Sequence, residues 1–117
     1  MKVGRSRRTL TARQWQSTLK HFNFRCAYCS GPYQVLEHVV PVKLGGGTTY
    51  TSCVPACNSC NTCKDHPKFL LFGSNQRMVE VLLRVKAYFQ SLQDETFDEA
   101  LLDAYIEMQR IKVPKHR

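Results

Sequence analysis

Hydrophobic positions along this chain follow helical spacing at both ends and a short extended pattern in the middle. Trp15, Leu19 and Phe22 recur at i, i+4 and i+7, which puts them on one face of a helix. Thr11 and Gln14 stand just ahead as N-cap and N3 of a capping box, so a helix of about three turns is expected from there. Val35 to Val40 is apolar and β-branched enough for a short strand that Pro41 ends. Gly45, Gly46 and Gly47 call for an irregular loop, and Thr48 to Val54 reads as the return strand. A short helix is expected to begin near Cys57, to hold Cys60, Asn61 and Lys64, and to end before Pro67.

Beyond that point the spacing becomes helical throughout. Ser74 or Asn75 can cap a helix running to about Gln93. Thr96 and Glu99 form a second capping-box pattern, which predicts a helix from there to about Lys112. With only Asp94 and Glu95 between them, the two helices should form an αα-hairpin. Met78, Val81, Leu82, Val85 and Phe89 on the first, with Leu101, Leu102, Tyr105 and Met108 on the second, read as ordinary core. The alternative is that these faces pair two copies as a homodimer. The pattern implies a small α+β fold in a single domain of 117 residues, with an arm over 1–10, a core over 11–67 and a helical hairpin over 74–112.

Charge sharpens this picture because it is unevenly spread. Residues 1–64 carry nine Lys or Arg and one acid, a net of +8, whereas residues 65–117 carry eight of each. A basic half of this kind suits a polyanion, and DNA, read here as duplex, is the expected partner. The arm residues Arg5, Arg7 and Arg8, with Lys43 and Lys64, are the candidate phosphate contacts. The one acid in that half, Glu37, would repel such a ligand unless a cation lay between them. No apolar run approaches the 18 or more residues of a membrane span. The basic N-terminus leads into no apolar stretch of a secretory signal, so a reducing, cytoplasmic setting is expected.

In that setting six cysteines favour metal over disulfides. Cys26 and Cys29 form one Cys-x-x-Cys pair, Cys57 and Cys60 another, and two such turns complete a tetrahedral thiolate site for structural zinc. Cys53, between Ser52 and Val54, reads as a buried thiol, and Cys63 as a weaker candidate ligand. The 27 residues between the pairs contain Glu37 and His38, and Asn61 follows the second pair directly.

Glu37-His38-Val39-Val40-Pro41 together with Cys57-x-x-Cys60-Asn61-x-x-Lys64 resembles the HNH nucleases, which use a ββα-metal motif. The resemblance covers Leu36 to Lys64, with Cys26 and Cys29 upstream. It implies a treble-clef-like core of hairpin and helix around one divalent ion, and a phosphodiester hydrolase leaving 5′-phosphate and 3′-hydroxyl ends. Glu37 and Asn61 fall where the family ligates Mg²⁺ or Mn²⁺, and His38 falls where it places the general base. Ser52 stands where the family has an asparagine that bridges the hairpin loop and helps hold that base; a hydroxyl offers fewer bonds than a planar amide. Asp65 and His66 are weaker candidates for an additional ligand. A zinc-stabilised module that binds nucleic acid without cleaving it is the rival reading, and Ser52 is the residue in its favour.

Overall fold

A computed structural model describes residues 9–63 and 75–111 of the chain. Its first element, α1, spans Ala12–His21 and is capped on both counts expected of a capping box. Thr11 Oγ1 accepts from the Gln14 N–H at 3.1 Å, and Gln14 Oε1 accepts from the Thr11 N–H at 3.0 Å. At the other end the Phe24 N–H reaches Leu19 O at 2.8 Å and the Asn23 N–H reaches Lys20 O at 3.0 Å. This is the paired bonding of a Schellman stop, with Asn23 left-handed at φ 57°. The stop reverses the chain into a tight turn closed by a bridge between Arg25 and Pro32.

Strand β1 (Val35–His38) pairs antiparallel with β2 (Cys53–Ala56), setting Glu37 opposite Val54 and His38 opposite Cys53. β1 is two residues shorter than the apolar run suggested, although the Val39 N–H still bonds Ser52 O at 2.9 Å. β2 starts at Cys53 rather than Thr48, because residues 49–52 are taken up by a turn in which the Ser52 N–H bonds Thr49 O. All four β2 residues are buried, Pro55 included. Proline lacks an N–H, but its carbonyl accepts from the Ala27 N–H at 2.9 Å, tying the Cys26–Cys29 turn to the sheet.

Between the strands, one 3₁₀ turn (Val42–Leu44) ends at Gly45, whose φ of 108° suits glycine. Gly46 packs directly on the carbonyl of Val40, leaving no room for a Cβ. Helix α2 (Asn58–Cys63) follows β2, and its first N–H, that of Asn58, donates to Gln34 Oε1 at 2.9 Å. Order along the chain through this region is therefore strand, loop, strand, helix.

Helices α3 (Asn75–Leu92) and α4 (Glu99–Ile111) pack on each other, with Met78, Leu82, Val85 and Phe89 of α3 buried alongside Leu102, Tyr105 and Ile106 of α4. Lys86 binds Asp103 at 2.6 Å and Glu99 at 3.4 Å across the pair. Helix α4 starts later than its Thr96 pattern predicts. Asp98 is the cap, its Oδ1 accepting from the Leu101 N–H at 3.1 Å. Thr96 is drawn away by Asp94, whose carboxylate accepts both its N–H and its hydroxyl. Met108, expected in the core, is 45 % exposed, and Ile106 is buried instead.

Among the described residues one apolar cluster runs from Cys26 and Val54 to Phe89 and Tyr105. α1 joins it through Thr18, whose hydroxyl bonds the Tyr88 hydroxyl at 3.0 Å, and through His21, which stacks on the Tyr88 ring at 4.0 Å. No described helix is long and apolar enough to cross a membrane. Arg5, Arg7, Arg8, Lys64, Asp65 and His66 lie outside the described residues.

Candidate active site and metal centre

The two Cys-x-x-Cys turns come together although 27 residues separate them in the sequence. The sulfurs of Cys26, Cys29, Cys57 and Cys60 all lie within 4.8 Å of one another. Backbone N–H groups point at three of them. Tyr28 N is 3.4 Å from Cys26 Sγ, Gly31 N is 3.3 Å from Cys29 Sγ, and Cys60 N is 3.5 Å from Cys57 Sγ. Ser30, at φ 68°, supplies the left-handed residue that lets the first turn wrap its sulfur.

Packing four acidic thiols this closely divides them electrostatically. Burial and then the neighbouring Cys26 push the Cys60 thiol far up, and burial likewise raises Cys29. Burial also opposes ionisation of Cys57, but hydrogen bonds from Cys60 and the other thiols outweigh it and hold Cys57 below the ordinary thiol range. A divalent cation in their midst would relieve this repulsion, and the four cysteines are positioned to bind one. Cys53 lies apart from this cluster. It is 1 % exposed, and its thiol is pushed up by burial, with the charge of Glu37 adding to the effect.

The sheet that joins the cysteine turns also carries Glu37 and His38. Glu37 is 4 % exposed, while His38 at the strand end is half-buried. The His38 ring meets the interstrand loop, with Nε2 at 2.9 Å from Thr48 Oγ1. Asn61 is exposed on α2, where its N–H bonds Cys57 O at 3.0 Å. Lys43 is exposed on the 3₁₀ turn.

Ser52 makes fuller use of one oxygen than its residue type suggests. Its Oγ accepts from the Thr49 N–H and the Thr49 hydroxyl, both at 2.9 Å, and donates to Gly47 O. A hydroxyl has one proton and two lone pairs, and all are used. Although a hydroxyl offers fewer bonds than a planar amide, Ser52 forms a three-way brace across residues 47–49. Thr48, which that brace encloses, is the residue the sequence pattern does not single out; its position directly after three glycines is the only local signal.

Residues 26–66 match the HNH endonuclease family. The chain carries an HNH-family segment. Over 104 residues it is also 31 % identical to YoqL of Bacillus subtilis (strain 168), an SPbeta prophage-derived protein that bears the HNH endonuclease name. That alignment takes in 76 % of this chain and 45 % of YoqL, so the chain spans less than half the length of this relative. No solved structure matches the chain. The family assignment suggests a nuclease, and the matched segment holds the four cysteines, Glu37, His38, Ser52 and Asn61.

Proposed function

We propose that the protein is a metal-dependent DNA endonuclease with a treble-clef-like ββα core, in which a structural zinc ion and a catalytic Mg²⁺ or Mn²⁺ ion occupy separate sites. What carries this reading is the coincidence of the family match with a strand, loop, strand and helix that place Glu37 and His38 on β1 and Asn61 on α2.

Zinc suits the cysteine cluster on geometry. A tetrahedron with metal–sulfur bonds of about 2.3 Å has edges of about 3.8 Å, and Cys29 Sγ stands 3.7 Å from Cys57 Sγ. For the second ion, the carboxylate of Glu37 and the amide oxygen of Asn61 are hard donors of the kind that Mg²⁺ and Mn²⁺ prefer. Such an ion, when bound, neutralises charge developing on the phosphate.

His38 acts as general base. A neutral imidazole takes a proton from water as that water attacks phosphorus. The bond between phosphorus and the 3′-oxygen breaks and that oxygen takes a proton from solvent, leaving 5′-phosphate and 3′-hydroxyl ends. Lys43, with Lys64, Arg5, Arg7 and Arg8, binds backbone phosphates and carries no sequence information.

Supercoiled plasmid incubated with the protein and Mg²⁺ or Mn²⁺ is expected to become nicked or linear. Plasmid that stays intact with either ion, while a gel shift still reports binding, would overturn the nuclease and favour the non-catalytic binding module.

A further inference from the structure

Helix α1 turns one side to the core and leaves a polar side without an acid on it. Thr18 and Leu19 are buried, whereas Arg13, Gln16, Ser17 and Lys20 are exposed. Spacings of three, four and seven residues put these four on one side of the helix, with Arg13 and Lys20 two turns and about 10 Å apart. The ion pairs among the described residues join Lys86 and Arg110 to acids and include neither Arg13 nor Lys20. Glu37, the one acid of residues 1–64, is buried. Helix stability does not account for Arg13. It stands in the first turn of α1, where the helix dipole disfavours a cation, and no acid in that turn offsets it. The same face borders the loop between the strands. The N–H groups of Thr9 and Leu10, just ahead of α1, bond Thr48 O at 3.0 and 3.2 Å. The Tyr50 hydroxyl donates to Ser17 Oγ at 3.2 Å. Thr48 Oγ1 in turn stands 2.9 Å from His38 Nε2, so Ser17 marks the edge where the exposed face of α1 meets the loop that reaches His38.

We propose that the outer face of α1 is a DNA-backbone contact, in which Arg13 and Lys20 bind phosphates and Gln16, between them, donates to a phosphate or sugar oxygen. This rests on the DNA partner proposed above and adds a surface that the arm, Lys43 and Lys64 do not include. Backbone rather than base edges is the target, because the loop beside α1 leads to a group that acts on phosphorus. A helix on that border lies along the sugar-phosphate strand. Two cations two turns apart hold a duplex at two points, which fixes its direction past His38 without reading its sequence.

The test is the salt dependence of duplex binding by the full chain, measured with two unrelated DNA sequences. Arg13→Ala combined with Lys20→Ala should make the log–log slope shallower by roughly 2 units, about one per phosphate contact, and weaken binding roughly 10- to 100-fold at about 0.1 M salt, equally for both sequences. Arg13→Lys combined with Lys20→Arg keeps both charges and should keep the slope. Arg84→Ala combined with Arg110→Ala takes the same charge from exposed positions on the helical hairpin and should leave the slope as it is. A double alanine variant of α1 with the natural slope would overturn the proposal. An equal fall from the hairpin variant would overturn it too, since net charge alone would then explain the effect. A loss confined to one sequence would replace the backbone contact with base reading. A natural protein that binds no duplex would remove the DNA partner and this surface together. One that binds with the expected change of slope but cleaves nothing would keep this surface and remove only the nuclease.

Discussion

At the scale of single residues, the site depends on atoms that do two jobs at once. Ser52 braces residues 47–49 through every hydrogen-bonding position its hydroxyl has. Ser52→Ala would leave the Gly47 carbonyl and the Thr49 N–H without this partner, at a cost of about 1–3 kcal/mol. Chemical denaturation should report that loss as a lower midpoint with unchanged slope. His38 is a different kind of residue, because its proposed role lies in the transition state. His38→Ala is expected to lower cleavage by at least about 10²-fold while DNA affinity stays near its natural value. A clean His38→Ala preparation with full activity would remove it from the mechanism. Gly46 shows how little slack surrounds these groups. Any side chain there must displace the Val40 carbonyl, so Gly46→Ala should lower both thermal midpoint and cleavage.

Among the elements, the cysteine turns and the sheet behave as one unit. The first turn bonds β2 through Ala27 N–H and Pro55 O, and the second turn leads from β2 into α2. A metal held by all four sulfurs would therefore fasten the sheet that carries Glu37 and His38. Structural zinc contributes on the order of 10 kcal/mol to folding in small modules. A strong chelator, or Cys26→Ser, should lower the thermal midpoint sharply and abolish cleavage together. Elemental analysis of purified protein showing no zinc, with a midpoint indifferent to chelator, would refute the structural ion. The helical hairpin has no such staple among its described residues; it is held by Phe89, Tyr105 and their buried neighbours, and by Lys86 bridging two acids.

For the whole molecule, the hairpin and the cysteine-bearing half share one apolar core, yet their charge is separate. All of the net charge of +8 belongs to residues 1–64. The described cations of that half, Arg13, Lys20, Arg25 and Lys43, are all exposed. Deleting residues 1–8 would remove Lys2, Arg5, Arg7 and Arg8. If all four contact phosphates, the log–log salt dependence of duplex binding should become shallower by roughly 3 to 4 units. An unchanged slope would place the nucleic-acid contact elsewhere on the basic half.

The sequence by itself determined whatever depends on neighbours along the chain or on residue type. The capping box of α1, the helical spacing of α3, the cysteine pairs, the Glu37-His38 dipeptide and the asymmetry of charge are of this kind. Each is set by local hydrogen bonding, by a short repeat or by composition. Tertiary structure decided the cases in which two local preferences competed. Thr96 has a sound N-cap pattern, but Asp94 captures it and Asp98 caps α4 instead. Thr48 to Ser52 have the residue types of a strand, but Ser52 folds residues 49–52 into a turn and β2 starts at Cys53. The approach of Thr48 to His38 follows from three distant parts of the chain: the segment before α1, the end of β1 and the interstrand loop. Nothing in the order of residues near Thr48 encodes that meeting; it depends on the antiparallel register that sets His38 opposite Cys53 and on the turn that Ser52 holds.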